Sequence, residues 1–76
     1  MSILHTFPLT VLSDITGERL HETPHFKGYI PQRRECFKVG SNLQYAVLRR
    51  EFYYNEDMEV IAVELYVMEL TRSMLG

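Results

Sequence analysis

The sequence predicts an all-β fold, a small barrel of about five strands, and two observations support this prediction. Residues 43–68 contain two runs rich in β-branched and aromatic residues on either side of the polar triplet 55–57, a pattern typical of a long hairpin. The chain has 76 residues, of which 46% are hydrophobic and 12% aromatic. We therefore expect residues 1–76 to form one ordered domain, with the hairpin as about a third of it.

The first strand is predicted over residues 3–12, where apolar residues occupy most of the odd positions. Pro8 has no N–H to donate, so we expect this strand to lie at a sheet edge or to be broken there. Thr16-Gly17 is the expected reversal after it. Residues 20–31 contain two prolines and a glycine, and we expect them to form an irregular loop that covers one end of the core.

A second strand is predicted over residues 35–39, where polar and apolar residues alternate, and residues 40–42 have the composition of a turn. The third strand then begins at Leu43. Its apolar side chains occupy odd positions up to Val47 and even positions from Phe52. Side chains of a strand alternate strictly between its faces, so this change of parity predicts a β-bulge within residues 48–50.

The fourth strand is predicted over residues 58–68, and it is apolar on both faces. This pattern fits a strand central to two packed layers, or one whose outer face contacts another subunit. A helix over residues 58–75 is the competing interpretation, and it would make the fold α+β. The β-branched residues of this run favour the strand.

This series of short strands ending in a long bulged hairpin resembles the SH3-like small barrels. The resemblance concerns the architecture only, so no functional residue of that family is assigned to this chain. The runs Tyr29-Ile30-Pro31 and Tyr45-Ala46-Val47 are similar to runs in many short bacterial and phage sequences. That similarity implies a small accessory factor.

Residues 21–25, His-Glu-Thr-Pro-His, match the letters of the H-E-x-x-H zinc-protease motif. The motif requires both histidines on one face of a helix, and Pro24 inside a helix would cost about 3 kcal/mol or more. A non-helical zinc site made from His21, His25 and either His5 or Cys36 has suitable ligand types, but the spacing gives it no support. We therefore predict no metal or other cofactor.

Cys36 is the single cysteine of the chain. It could be a nucleophile beside Arg33, Arg34 and Lys38, because neighbouring cations favour the thiolate, but a structural role is favoured. Strand alternation places Cys36 on the same face as Lys38, which leaves its exposure undecided. No glycine-rich phosphate loop and no nucleophile–base spacing is found, so we predict that the protein is not an enzyme and has no small-molecule substrate.

The single cysteine and the absence of a signal-peptide pattern lead us to expect a cytoplasmic protein. No apolar run reaches the ~20 residues needed to span a bilayer, so no membrane association is expected. A domain this small is often marginally stable alone, which favours a homodimer.

The charges are segregated along the chain. Residues 19–50 contain seven basic residues and two acidic ones, a balance of +5, whereas residues 51–76 contain six acidic residues and one basic one, a balance of −5. A basic segment that also carries aromatic residues suggests a nucleic-acid-binding barrel. The predicted phosphate contacts are Arg33, Arg34, Arg49 and Arg50. The overall net charge of −2 argues against this function and favours pairing of the two segments with each other.

Protein recognition is the function that we predict first. A small barrel with a two-faced apolar strand and opposite charge patches is suited to binding a second copy or a protein partner. Tyr53, Tyr54 and Tyr66 are the candidate contacts, and ordinary cross-strand packing is the alternative role for them. The predicted function is thus a non-enzymatic interaction protein, with nucleic-acid binding as the alternative.

Overall fold

The computed structural model describes residues 6–40 and 43–70, which form five β-strands and no helix. The strands are β1 (Phe7–Ser13), β2 (Arg19–Phe26), β3 (Cys36–Val39), β4 (Leu43–Tyr54) and β5 (Val60–Glu69). The all-β prediction and the long hairpin are confirmed. The helical alternative for residues 58–75 is wrong over the part of that segment that is described, because Val60–Glu69 is extended.

The strands form one sheet in the order β2-β1-β5-β4-β3, curled into a half-barrel. All neighbouring pairs are antiparallel except β1 and β5, which are parallel. This follows from strand number, because the first and last of five strands with alternating direction run the same way. The edge strands are β2 and β3, and no Cα atom of one lies within 8 Å of a Cα atom of the other. The half-barrel is therefore open between β2 and β3.

The core lies on the concave face of the curled sheet. Its fully buried side chains come from β1, β4 and β5, which occupy the centre of the sheet. They are Leu9, Val11, Tyr45, Val47, Val63, Leu65 and Val67. The sequence pattern placed Ile61 with the inward-facing residues of β5, but its side chain is 48% exposed. β5 is the middle strand of the sheet, but the described residues form a single sheet, so β5 is not enclosed between two packed layers.

The predicted bulge is present in β4. The register between β4 and β5 shifts between Val47 and Arg49, so Leu48 is the additional residue. Val47 lies opposite Val67, and Arg50 lies opposite Leu65, which is also an inward-facing residue. The concave face therefore receives odd-numbered residues before the bulge and even-numbered residues after it.

Two predictions about the N-terminal half are wrong. The strand that contains Pro8 is not at an edge, since β1 lies between β2 and β5. Pro8 is tolerated because it lies at a register shift against β2 and precedes Leu9, where pairing with β5 begins. Residues 20–31 are not one irregular loop, because β2 extends from Arg19 to Phe26. Pro24 fits there because β2 is an edge strand with a bulge at that point.

The remaining differences concern the ends of strands. The second and fourth predicted strands begin at Cys36 and Val60, one and two residues later than expected. Residues 1–5, 41–42 and 71–76 lie outside the described part, so the predictions that fall on them are not addressed.

Candidate interaction surfaces

The β4–β5 hairpin extends beyond the strands on either side of it. β3 pairs with β4 only as far as Ala46, and β1 pairs with β5 only from Val63 onwards. Residues 53–62 consequently form a two-stranded projection, and we call residues 48–62 the hairpin arm, because the outer edge of β4 has no strand beside it from Leu48 onwards. The principal extents of the molecule, 49 × 26 × 19 Å, reflect this elongated form.

The outer edge of β4 is unpaired along the hairpin arm. The last residue with a partner on this side is Val47, which pairs with the irregular segment after β2. Its C=O accepts the Arg34 N–H at 2.8 Å, and its N–H donates to the Glu35 C=O at 2.9 Å. From Leu48 to Tyr54, no strand or loop within residues 6–40 and 43–70 pairs with that side of β4. Seven residues of β-strand thus present a free edge.

Large apolar side chains are concentrated on the hairpin arm. They are exposed to between 36% and 71% of their surface, which is unusual for so many in one short segment. These side chains are Leu48, Tyr53, Tyr54, Met58 and Ile61.

The convex face of the arm carries an internally paired group of side chains. The Arg49 guanidinium lies over the Tyr66 ring, 3.8 Å from its centroid, and forms ion pairs with Glu51 and Asp14. Cation–π contact and two carboxylate partners satisfy this arginine within the protein. Arg49 is therefore a poor candidate for contacting phosphate.

Two carboxylates face each other on this convex surface, since Glu51 of β4 lies opposite Glu64 of β5. Like charges in this arrangement repel, and tyrosine hydroxyls relieve the repulsion. The Tyr53 hydroxyl lies 3.0 Å from Glu64 and 3.1 Å from Glu51, and the Tyr66 hydroxyl donates to Glu64 at 2.9 Å. Hydrogen bonding to Glu64, then to Glu51, raises the pKa of Tyr53 to about 12.

The concave side of the arm differs in character. An open concavity of about 560 Å³ lies beside the bulge at the outer edge of β4, and residues from both faces of that strand line it: Arg33, Leu48, Arg49, Arg50 and Phe52. The Arg50 guanidinium lies 5.1 Å from the centroid of the Phe52 ring. The rings of Phe52 and Tyr54 are stacked, with centroids 6.4 Å apart and an interplanar angle of 19°. Arginine and aromatic side chains thus share one face.

Glu35 organises the loop that presents Arg33 and Arg34. Its carboxylate accepts the Gln32 N–H at 2.7 Å and the Tyr29 hydroxyl at 2.9 Å. These hydrogen bonds, the Gln32 N–H first, lower the pKa of Glu35. The role of Glu35 was not apparent from the sequence, where it appeared only as a polar position in an alternating run.

The seven predicted contact residues are divided between two faces. Arg49, Tyr53 and Tyr66 lie in the paired convex group, whereas Arg50 and Tyr54 lie on the concave side. The remaining two, Arg33 and Arg34, are exposed on the loop; Arg33 lines the concavity, and Arg34 has a φ of +79°.

The two oppositely charged segments pair with each other only in part. Of the seven basic residues within residues 19–50, Arg19 and Arg49 have a carboxylate within 4 Å in the described structure. The other five have no such partner among residues 6–40 and 43–70: Lys27, Arg33, Arg34, Lys38 and Arg50.

The H-E-x-x-H letters lie on β2 in extended conformation, as the rejection of a helix predicted. His21 Nε2 lies 3.0 Å from the Tyr45 hydroxyl, so this histidine packs beside the opening of the half-barrel. Within the described residues, no three His, Cys, Asp or Glu side chains come together in a way that could hold a metal ion. Cys36 is exposed, which answers the question of exposure that the sequence left open.

A second, smaller concavity of about 230 Å³ lies at the opening between β2 and β3. Its floor is formed by Leu9 and Val11, and its walls include Phe26 from β2 and Phe37 from β3. It is almost entirely apolar and extends the core surface to the solvent.

No family model, curated protein or solved structure matches the chain. The described part of the chain also contains no helix of the length and apolarity that crossing a membrane requires.

Proposed function

We propose that this chain is a non-enzymatic interaction protein that binds protein partners by strand addition to the hairpin arm. The observation that supports the proposal is the free edge of β4 from Leu48 to Tyr54. An unpaired strand edge offers a row of N–H and C=O groups to an extended segment of another chain, and alternate side chains add specificity.

The other two edges of the sheet are less suited to strand addition. β2 contains Pro24 and a bulge, which interrupt a continuous row of donors. β3 is only four residues long, and Lys38 lies within it. Short strands, prolines, lysines and bulges are the usual protection of sheet edges. The free part of β4 carries a bulge at its first residue, Leu48, and the charged residues Arg49, Arg50 and Glu51, but it spans seven residues without proline or lysine. The arm is therefore the favoured docking edge.

A second copy of the chain is the partner that we propose first. Two β4 edges related by a two-fold axis perpendicular to the sheet would pair antiparallel and form a continuous sheet of ten strands. Pairing would also cover Leu48 and Tyr54, which are exposed in the single chain. A 76-residue domain with an open half-barrel gains stability from such burial.

Three further proposals complete this description. The five strands and the curl of the sheet support a relation to the SH3-like small barrels. An exposed cysteine without a partner in the sequence supports a reducing, cytoplasmic location. A small bacterial or phage accessory factor remains the biological role that we favour.

Sedimentation velocity over a range of protein concentrations tests the proposal. We expect a dimer that dissociates on dilution, and we expect Leu48→Lys to weaken it by about tenfold or more because a lysine at the edge opposes pairing. Met58→Lys is the matched control, since Met58 is also exposed but lies in the turn at the tip. A protein that stays monomeric at every concentration and captures no protein partner would contradict the proposal.

A further inference from the structure

The concave side of the hairpin arm brings together unpaired cations and stacked rings. Arg33 and Arg50 line one open concavity with Phe52, and neither arginine has a carboxylate within 4 Å in the described residues. We propose that this surface binds single-stranded nucleic acid, with the phosphates against Arg33, Arg34 and Arg50 and with bases stacked on Phe52 and Tyr54. The site uses the concave face of the arm but shares Leu48 and Tyr54 with the surface that strand addition covers, so the two partners compete.

The charge distribution supports a polyanionic ligand. The protein carries a net charge of −2, and a surface that keeps two arginines unpaired in one concavity does so against the surplus of carboxylates. The neighbouring Arg49, by contrast, is paired within the protein, with two carboxylates and the Tyr66 ring as its partners. Arg50 acts on Glu35 only at longer range, where it helps to lower the pKa of that carboxyl group, so Arg33 and Arg50 are both open to an external anion.

The aromatic pair favours nucleic acid over an acidic peptide. Phe52 and Tyr54 are two residues apart on one strand, so their side chains project from the same face. Their rings are nearly parallel, at 19°, with centroids 6.4 Å apart, and Tyr54 is the more exposed of the two. Stacking of bases on aromatic rings contributes to single-strand binding irrespective of base identity, because every base has a π-face. An acidic peptide supplies no corresponding series of flat rings.

The loop with Arg33 and Arg34 is held in position before any ligand binds. Glu35 accepts hydrogen bonds from Gln32 and Tyr29, and Arg34 donates its backbone N–H to Val47. Preorganisation lowers the entropic cost of binding because less of the loop must be ordered. The loop backbone is therefore fixed beside β4, and Arg33 lines the concavity from it.

The hairpin turn limits the length of the site. Glu56, Asp57 and Glu59 lie at the tip of the arm, just beyond Tyr54 along the strand. Carboxylates at that end repel a phosphate chain that continues past the second ring. We therefore infer a short site that holds a few nucleotides rather than an extended groove.

Fluorescence anisotropy with a labelled oligothymidylate of about 12 nucleotides tests the charge component. Affinity should fall with salt with a log–log slope of about −2, since ~3 phosphates each contribute ~0.7 on a single strand. Arg33→Glu and Arg50→Glu should each reduce affinity by about tenfold or more. Lys38→Glu makes the same charge change on β3, away from the concavity, and should change affinity by less than about threefold.

The stacking component is tested with two neighbouring tyrosines. Tyr54→Ala should lower affinity by about fivefold or more, whereas Tyr53→Ala, on the opposite face, should lower it by less than about twofold. Circular dichroism confirms that each variant is folded. The proposal is overturned by an absence of binding at low salt, by equal losses for Arg50→Glu and Lys38→Glu, or by equally tight binding of inorganic polyphosphate or an acidic peptide.

Discussion

Met58 has an unusual backbone conformation for a residue with a side chain, because its φ is +64°. It ends the hairpin turn, where its N–H donates to the Asn55 C=O, and the Asn55 side chain accepts the N–H groups of Asp57 and Glu59. Glycine is the usual residue at such a position, since it avoids the steric cost of a side chain there.

Met58→Gly is therefore expected to raise the free energy of unfolding by up to about 1 kcal/mol, since relief of strain exceeds the entropy that glycine adds to the unfolded chain. Urea unfolding measures the change. Glu56→Gly in the same turn is the control, because Glu56 does not lie in the left-handed region, and it should be neutral or destabilising. Stabilisation of equal size in both variants would contradict the explanation.

The hydrogen bonds of the Tyr53 hydroxyl lead us to expect that the free energy of unfolding falls at alkaline pH. Its pKa is raised to about 12 from an ordinary value of 10.0, by hydrogen bonds to Glu64 and Glu51. A raised pKa in the folded state means that the protonated hydroxyl contributes stability below pH 10 and that this contribution is lost as the pH rises to about 12. Tyr53→Phe should make the free energy of unfolding less dependent on pH in that window.

The measurement is urea unfolding at several pH values between about 9 and 12, for the wild type and two variants. Tyr54→Phe is the control, because the Tyr54 hydroxyl has no hydrogen-bond partner in the described residues. Identical pH profiles for wild type and Tyr53→Phe would show that the hydroxyl is not held between the two carboxylates.

Among the strands, β5 is apolar on both faces, and burial differs strongly along its length. Leu65 is 1% exposed in the core, whereas Ile61, on the same strand with the same parity, is 48% exposed on the arm. Leu65→Ala should cost about 2–5 kcal/mol because it leaves a cavity, and Ile61→Ala should cost less than about 1 kcal/mol. Denaturant unfolding distinguishes them, and similar losses would mean that the arm is packed in solution.

Several elements could be predicted from the sequence because their signals are local. The β-branched run of β5, the turn at Asn55 and the change of parity in β4 each depend on adjacent residues, and each is confirmed. β2 was missed because prolines and glycine usually end strands, and Pro24 is compatible with a strand only at a sheet edge. Edge position is a property of the whole sheet, so the local sequence does not reveal it.

The sequence predicted which residues are candidate contacts, but it did not predict how they are distributed over the two faces of the sheet. Arg49 and Arg50 are adjacent in the sequence and lie on opposite faces of β4. That separation follows from strand alternation, and Phe52 could have been grouped with Arg50 by the same reasoning. The ion pair between Arg49 and Asp14 could not have been predicted from the sequence, because Asp14 follows β1, and β1 and β4 are neighbours only through the β5 strand between them.

At the scale of the whole molecule, the sheet is an incompletely closed barrel with a projecting hairpin. The open side between β2 and β3 and the free edge of β4 are separate interruptions of backbone pairing. The first exposes an apolar concavity, and the second exposes backbone donors and acceptors. The free edge of β4 spans seven residues, whereas the edge of β2 is interrupted at Pro24 and β3 has only four residues, which is why the arm is the stronger candidate for binding another chain.

Amide hydrogen exchange as a function of protein concentration tests this difference between edges. If β4 of one chain pairs with β4 of another, amides of Leu48–Tyr54 that point away from β5 should exchange about tenfold or more slowly at high concentration, because dissociation must precede their exposure. Amides on the outer edge of Arg19–Phe26 provide the control within the same molecule, and their exchange should not depend on concentration. Concentration-dependent protection at β2 in place of β4 would move the interface to the open side of the half-barrel, and uniform protection of both edges would indicate non-specific aggregation.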